Sequence, residues 1–199
     1  MYNLLVQAVM GYRWLHENCH NLPLLIKIDD DVLLDVPKFF HSYRTDLNPT
    51  NKPRSILCNV WEKAKVMRTG KWKIEKSLFH NESYEFPYCS GYLVVVTPDL
   101  VSHMYRSGKG MDFFWVDDVF MYGLVPANIT GVHFVNLGGY GVNGKHVITN
   151  RQNIYEKCLS DHGANCTQWA ALTQSDKDFQ KLHTQMRLLY TRNSTKSKT

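Results

Sequence analysis

Three consecutive carboxylates, Asp29, Asp30 and Asp31, directly follow a short apolar run at residues 24–28. The run predicts a strand buried on both faces of an α/β sheet, and ligands bind at the carboxyl ends of such strands. Alternation along an extended segment would place Asp29 and Asp31 on one side and Asp30 on the other. Carboxylates suit a divalent cation on a nucleotide diphosphate. A solvated acidic turn is the alternative, and the spacing alone leaves both open.

A second acidic pair, Asp117 and Asp118, lies at the start of a predicted helix over residues 116–125. One of these carboxylates could act as a general base. The alternative is a solvated helix N-terminus, where the helix dipole favours negative charge. The neighbouring Phe114 and Trp115 could contact a ligand or pack in the core.

The apolar periodicity predicts the elements that would position these carboxylates. We expect helices over residues 2–17, 36–43, 97–105, 116–125 and 175–190, and strands over 24–28, 55–60 and 91–96. Asp35 is expected to cap the helix over 36–43. Residues 61–88 have weak periodicity, typical of a hairpin and loop, and residues 131–148 are Gly-rich with short strand potential. The pattern predicts one α/β domain over residues 1–190 and a disordered basic tail over 191–199.

The charge distribution argues against nucleic acid as a partner. The net charge of +5 comes from the five basic residues beyond residue 180, so that residues 1–180 balance. A nucleic-acid binder usually carries its basic face on the folded body. Within that body, residues 52–76 carry a local +6, which could steer an anionic nucleotide or could form a solvated loop surface.

The cysteines and glycosylation sequons favour the lumen of the secretory pathway. Five cysteines occur without a CxxC pair, which argues against structural zinc, and four N-x-S/T sequons begin at Asn81, Asn128, Asn165 and Asn193. A cytosolic protein with chance sequons is the alternative. No apolar run reaches the ~18 residues of a membrane span, and the N-terminus lacks a signal-peptide pattern. Because a helical pattern begins at the first residues, we expect the front of a larger domain to be missing.

Four sequence blocks carry a family resemblance. Residues 25–34 (LIKIDDDVLL) resemble the "lKtDDDvfv" signature of the β-1,3-galactosyltransferase and N-acetylglucosaminyltransferase family, glycosyltransferase family 31. Trp14 followed by Cys19 is similar to its Trp-x4-Cys. Residues 88–94 resemble its "YCsGxgYvls" block. Residues 116–123 resemble its "EDVyvG" block, with Asp117 in place of Glu and one extra residue before the glycine.

The resemblance implies a GT-A fold with a mostly parallel, Rossmann-like sheet flanked by helices. It implies inverting transfer of galactose or N-acetylglucosamine from a UDP-sugar to an acceptor glycan of a glycoprotein or glycolipid. Asp118 would be the general base, with Asp117 in the preceding acidic position. The remaining site residues would be Asp29, Asp30 and Gly91 at the nucleotide sugar, and Asp31, Asp29 and His146 at a Mn²⁺ ion. Glycine at residue 91 would let the backbone approach a ligand closely.

The same resemblance sets limits on these expectations. Family members are Golgi membrane proteins with an N-terminal anchor and a stem, so we expect a Golgi location, with membrane association only through a segment absent from this chain. The family's first β-α units, which cradle uridine, also have no counterpart in the sequence. The alternative is therefore a catalytically inactive, truncated remnant that acts at most as a binding protein.

Overall fold

The computed structural model describes residues 2–47, 52–138 and 147–196. The chain divides into two compact units. The first comprises Met1–Lys27 and Pro49–Val135, and the second comprises Ile28–Asn48 and Asn136–Thr199. Both contain helices and sheet, which confirms the α/β class; one domain over residues 1–190 stays a prediction.

The elements follow the predicted order with several differences. The α-helices of the described residues are α1 (Tyr2–Asn18), α2 (Val36–Ser42), α3 (Pro98–Gly108), α4 (Asp117–Val119), α5 (Val125–Ala127), α6 (Gln152–His162) and α7 (Asp176–Lys196). Two π-helical segments (Tyr43–Leu47 and Phe120–Leu124) follow α2 and α4, and a 3-10 helix (Gly163–Asn165) follows α6. The strands are β1 (Leu25–Ile28), β2 (Val32–Leu34), β3 (Ser55–Trp61), β4 (Tyr88–Val96), β5 (His133–Asn136), β6 (Ile148–Thr149) and β7 (Ala170–Leu172). Three elements were not predicted from the sequence, namely β2, α6 and β7. Helix α7 continues into the stretch for which disorder is predicted, and residues 197–199 lie outside the described residues.

The sheet of the first unit has the strand order β1-β4-β3-β5. Strand β4 is buried along most of its length, whereas β1 is half-buried and lies at one edge of this order. The burial of β1 on both faces, expected from its apolar run, is therefore not what the structure shows. Its edge position explains the difference, because an edge strand has a paired neighbour on one side only.

Strands β3 and β4 pair antiparallel, although the sequence resemblance implies a mostly parallel sheet. The cause lies in the connection: residues 62–87 contain turns and an isolated antiparallel bridge between Lys65 and Ser83, but no helix. A parallel return requires a crossover, usually a helix, while an antiparallel pair needs none. The hairpin-like connection predicted for residues 61–88 is consistent with this pairing.

The β3–β4 ladder contains a bulge next to a disulfide bond. Cys58 is the partner of Val94, and the next residue, Asn59, is the partner of Ser90. Residues 91–93 of β4 therefore lie outside the regular register. Cys58 and Cys89 form a disulfide with a Cα–Cα distance of 5.7 Å, which ties the two strands together at this irregular point.

The second unit contains a small sheet with the order β2-β7-β6. Strand β7 pairs antiparallel with β2 and parallel with β6. Helices α6 and α7 contribute Tyr155, Leu159 and Leu182 to its core. Asp35 caps α2 as predicted, accepting a hydrogen bond from the Lys38 amide, and this carboxylate is only 1% exposed.

Replacing both Cys58 and Cys89 by Ser should lower the free energy of unfolding by about 3–4 kcal/mol, because this disulfide closes a long loop in the unfolded chain. Its sequence separation is 31 residues. Urea denaturation with and without the two substitutions measures the difference.

The second disulfide, Cys158–Cys166, provides a matched control because its sequence separation is only 8 residues. Its double Ser variant should lose about 2.5 kcal/mol, the smaller value that the shorter loop implies. A larger loss for this pair than for Cys58–Cys89 would contradict the loop-closure explanation.

Candidate active site

The bulge of β4 places the backbone of Gly91 between two charged side chains. The Gly91 amide donates a hydrogen bond to Oδ2 of Asp118 over 2.9 Å. The Gly91 carbonyl accepts a hydrogen bond from Nζ of Lys27, a residue of β1. Because residues 91–93 have left the β3 register, both backbone groups of Gly91 are available to hold side chains of the site. Bulges commonly redirect groups in this way beside functional sites.

Two glycines let the acidic helix, defined here as residues 117–127, lie directly on the start of β4. A Cβ at Gly91 would overlap the carboxylate of Asp118. A Cβ at Gly123 would lie 2.8 Å from both Phe86 Cε2 and Tyr88 Cβ, a separation that real side chains do not tolerate. The close neighbour of Gly91 in the structure is thus the carboxylate of Asp118.

Buried apolar side chains fix the position of the acidic pair. Val116 precedes α4, and its carbonyl accepts the Phe120 amide over 2.9 Å. Val116, Val119 and Phe120 are buried in the core of the first unit. Asp117 and Asp118 lie on the same turn but remain half-exposed. The core contacts therefore hold the turn, while the two carboxylates stay accessible for chemistry.

The half-buried phenol of Tyr88 and the buried phenol of Tyr122 feel the charge of the Asp118 carboxylate. Burial raises the pKa of Tyr88, and the negative charge of Asp118 raises it further. Burial is also the largest cause that raises the pKa of Tyr122, and the charges of Asp118 and Asp117 contribute as well. Both phenols are consequently neutral at physiological pH, so that the acidic pair supplies the negative charge at this end of β4.

The aromatic residues before the acidic pair have different environments. Phe114 is buried, with its ring centroid 6.2 Å from that of Phe79 in an edge-on contact, as expected for core packing. Trp115 is half-exposed and stacks on Trp72, with ring centroids 6.0 Å apart and an interplanar angle of 14°. Of the two, only Trp115 presents surface that a ligand could contact.

The triple aspartate forms a turn in the second unit, where the sequence predicts an extended segment. The Val32 amide bonds to the Asp29 carbonyl over 3.2 Å, and the Asp31 carbonyl accepts both the amide and the hydroxyl of Thr173. The side chains of Asp30 and Asp31 are exposed, while Asp29 is half-buried. The backbone is therefore anchored and two of the carboxylates face solvent.

The turn offers carboxylates that a metal ion could bind, but not a complete set of protein ligands. Across residues 2–47, 52–138 and 147–196, the structure contains no group of three His, Cys, Asp or Glu side chains arranged to hold a metal. His146, the third predicted ligand, lies outside the described residues. Carboxylates such as those of Asp29 and Asp31 are donors of the kind that Mg²⁺ or Mn²⁺ uses, since such ions commonly take one or two carboxylates together with substrate phosphates.

The structure thus joins Gly91 to Asp118 and places Asp29, Asp30 and Asp31 on a turn of the other unit. The roles assigned to these residues stay predictions. Lys27 was not among the site residues predicted from the sequence. It could have been found, because it is a single lysine inside an otherwise apolar strand and a partly buried charge needs a partner.

Comparison with known proteins gives a family match over the part of the chain that contains these residues. A family model described as galactosyltransferase matches residues 1–137. The lactosylceramide 1,3-N-acetyl-beta-D-glucosaminyltransferase A of Danio rerio is 29% identical over 167 residues, covering 81% of this chain and 42% of that protein. The beta-1,3-galactosyltransferase 5 of Homo sapiens is 28% identical over 124 residues, covering 60% and 38%. The beta-1,3-galactosyltransferase 1 of Mus musculus is 25% identical over 145 residues, covering 69% and 41%. The chain spans about two fifths of the length of these relatives.

The Gly91→Ala variant should lose about 1–3 kcal/mol of unfolding free energy, because the added methyl group must displace the Asp118 carboxylate or the β4 backbone. Its position overlaps Oδ1 of Asp118. Urea denaturation measures the loss.

Gly11→Ala is the matched control, because a Cβ there meets nothing within 4 Å. In the interior of α1, this change should stabilise the protein by about 0.5–1 kcal/mol. Equal effects of the two substitutions would show that the approach of Asp118 to Gly91 is not tight.

Proposed function

Because the chain belongs to the galactosyltransferase family, we propose that it transfers a hexose from a UDP-sugar to a hydroxyl group of an acceptor glycan, with inversion at the anomeric carbon. The observation that carries the proposal is the half-exposed Asp118 carboxylate, held by the Gly91 amide at the end of a buried strand. The family match extends over both residues. The arrangement has the two properties that a general base needs: a fixed position and access to a substrate proton.

In the proposed reaction, Asp118 takes the proton of the acceptor hydroxyl as its oxygen attacks the anomeric carbon. The new glycosidic bond forms on the face opposite to the breaking bond, and UDP leaves with the electron pair of that bond. The Gly91 amide, hydrogen-bonded to Oδ2, restricts rotation of the carboxylate. Asp117 lies on the same turn and takes the acidic position beside the base.

The proposed donor site uses the triple aspartate. Asp29 and Asp30 would contact the nucleotide sugar, while Asp31 and Asp29 would hold a divalent metal ion, for which Mn²⁺ is the proposal. When bound, such an ion would neutralise the negative charge that develops on the diphosphate leaving group. The Asp31 carbonyl is fixed by Thr173, so that the turn carrying these carboxylates is anchored before any ligand binds.

The proposed fold is GT-A-like, and the proposed location is the Golgi lumen. The mixed α/β architecture and the family match support the fold. Two disulfides, Cys58–Cys89 and Cys158–Cys166, support an oxidising compartment, since disulfides persist mainly in secretory and extracellular proteins. Within the described residues, no helix combines the length and the hydrophobicity of a membrane span.

The acceptor we propose is a β-galactoside-containing glycan. The name of the Danio rerio relative describes an N-acetyl-beta-D-glucosaminyltransferase that acts on lactosylceramide. Lactose and its methyl β-glycoside therefore provide soluble probes of acceptor binding. Nucleic acid is not proposed as a partner, because the charges of residues 1–180 balance.

Asp118→Asn should lower the transfer rate by at least about 100-fold, because the amide cannot accept the acceptor proton. The amide oxygen can still accept the Gly91 hydrogen bond, so the fold and UDP binding should persist. The measurement is release of UDP from UDP-galactose and UDP-N-acetylglucosamine in the presence of lactose and Mn²⁺.

Asp112→Asn is the control for this substitution, since Asp112 is an exposed carboxylate shortly before the acidic helix. It should retain transfer activity. Loss of both UDP binding and transfer in Asp118→Asn would show that the residue has a structural role and would reject it as the base.

UDP together with Mn²⁺ should raise the midpoint of thermal unfolding, because a ligand that binds only the folded protein stabilises it. At a UDP concentration of about 100 times Kd, the gain is about 2.7 kcal/mol. Asp31→Ala should remove the dependence of this shift on Mn²⁺, while the exposed Asp161 changed to Ala should leave it intact. Absence of any shift at millimolar UDP and Mn²⁺ would favour the inactive remnant.

A further inference from the structure

We propose that Trp72 and Trp115, called here the tryptophan pair, form a binding platform for a saccharide ring of the acceptor. The two indoles are nearly parallel, with centroids 6.0 Å apart and an interplanar angle of 14°. Both belong to the first compact unit. The inference rests on the proposed function and names a substrate-binding element of the same site.

The apolar residues around the tryptophan pair are more deeply buried than the pair itself. In the segment that follows β3, Val66 and Ile74 are buried at 4% and 1% exposure, whereas Trp72 is 38% exposed. Before the acidic helix, Phe114 and Val116 are both buried and lie on either side of the half-exposed Trp115. The neighbouring apolar residues are thus directed inward. Trp115 packs partly against the same core and stacks on the exposed Trp72, so that the pair keeps accessible indole surface.

The exposed indole surface has the electronic character that a sugar ring recognises. Nζ of Lys71 lies over the ring of Trp72 at 4.7 Å from its centroid, which shows that the negative face of the ring already attracts a cation. The C–H bonds on one face of a galactose ring carry partial positive charge and are attracted to an aromatic face in the same way. Their stacking also removes apolar surface from water on both sides. Lys71 is an exposed, flexible side chain that can move aside when a neutral ring stacks.

The tryptophan pair is close enough to the proposed base to act on the same substrate. Trp115 precedes Asp118 by three residues, so their Cα atoms are at most about 11 Å apart. The intervening Val116 is buried and its carbonyl is bonded to the Phe120 amide. The relative position of platform and base is therefore set by packed backbone, at a separation that a short glycan can span.

The test is saturation-transfer NMR and calorimetric titration of the full chain with methyl β-lactoside, without UDP or metal. Wild-type protein should bind the lactoside at millimolar concentrations, with the strongest saturation on the C–H face of one ring. Trp72→Ala and Trp115→Ala should each weaken binding by about tenfold or more. Trp72→Phe keeps an aromatic face and should lose only about twofold.

Trp14→Ala is the matched control, because Trp14 is 60% exposed on α1 of the same unit and should leave lactoside affinity unchanged. Thermal shifts with UDP and Mn²⁺ should be equal in the wild type and the Trp72 variants. If an Ala variant does not fold, Trp72→Phe is compared with the wild type instead. The proposal is overturned if Trp72→Phe shows both the affinity for the lactoside and the saturation pattern of the wild type.

Two further results would also overturn the proposal. One is wild-type protein that does not bind the lactoside at millimolar concentrations. The other is a Trp72→Ala variant that binds it as wild type does but changes its oligomeric state, which would assign the pair to protein contact. A UDP shift without lactoside binding rejects the platform alone, whereas lactoside binding without a UDP shift rejects the donor site and with it the proposed transfer.

Discussion

The hydrogen bond between the Gly91 amide and the Asp118 carboxylate is the contact on which the proposed active site depends. It exists because β4 leaves the β3 register at residues 91–93, which releases the Gly91 backbone from that ladder. The Cys58–Cys89 disulfide joins the strands beside the irregularity and limits how far they can separate there. A hydrogen bond to a charged group contributes about 1.5–3 kcal/mol, enough to favour one orientation of a side chain that is half in solvent.

The same contact constrains the acidic helix along its whole length. Gly91 and Gly123 are both closer to their neighbours than a side chain would permit, so that the helix approaches β4 at two points. Between these points the backbone departs from α-helical geometry at Tyr122, with φ −115° and ψ 15°. A local departure of this kind lets one helical segment satisfy two close contacts that a straight helix would not reach together. The pKa values of the Tyr88 and Tyr122 phenols are raised, mainly by burial and in part by the charge of Asp118.

Sequence patterns predicted the residue types of the site better than their contacts. Asp118 was selected from its block, and the Asp35 cap and the strand at β4 followed from local rules that the structure confirms. The bulge at residues 91–93 was not predictable, because register depends on pairing between two strands rather than on either sequence alone. Helix α6 was missed although Tyr155 and Leu159 are spaced one turn apart, since its remaining residues are largely polar.

The segment from Phe114 to Asp118 links substrate recognition to catalysis in the proposed mechanism. Phe114 and Val116 are buried at 4% and 8% exposure, and Trp115 lies between them with its indole at the surface. The backbone at Trp115 has little freedom, because both buried neighbours would have to leave the core for it to move. The next turn of the chain carries the Asp118 carboxylate. The acceptor platform and the base are therefore positioned by the same two core contacts, so that a change in the packing of Phe114 or Val116 alters acceptor affinity and proton transfer together.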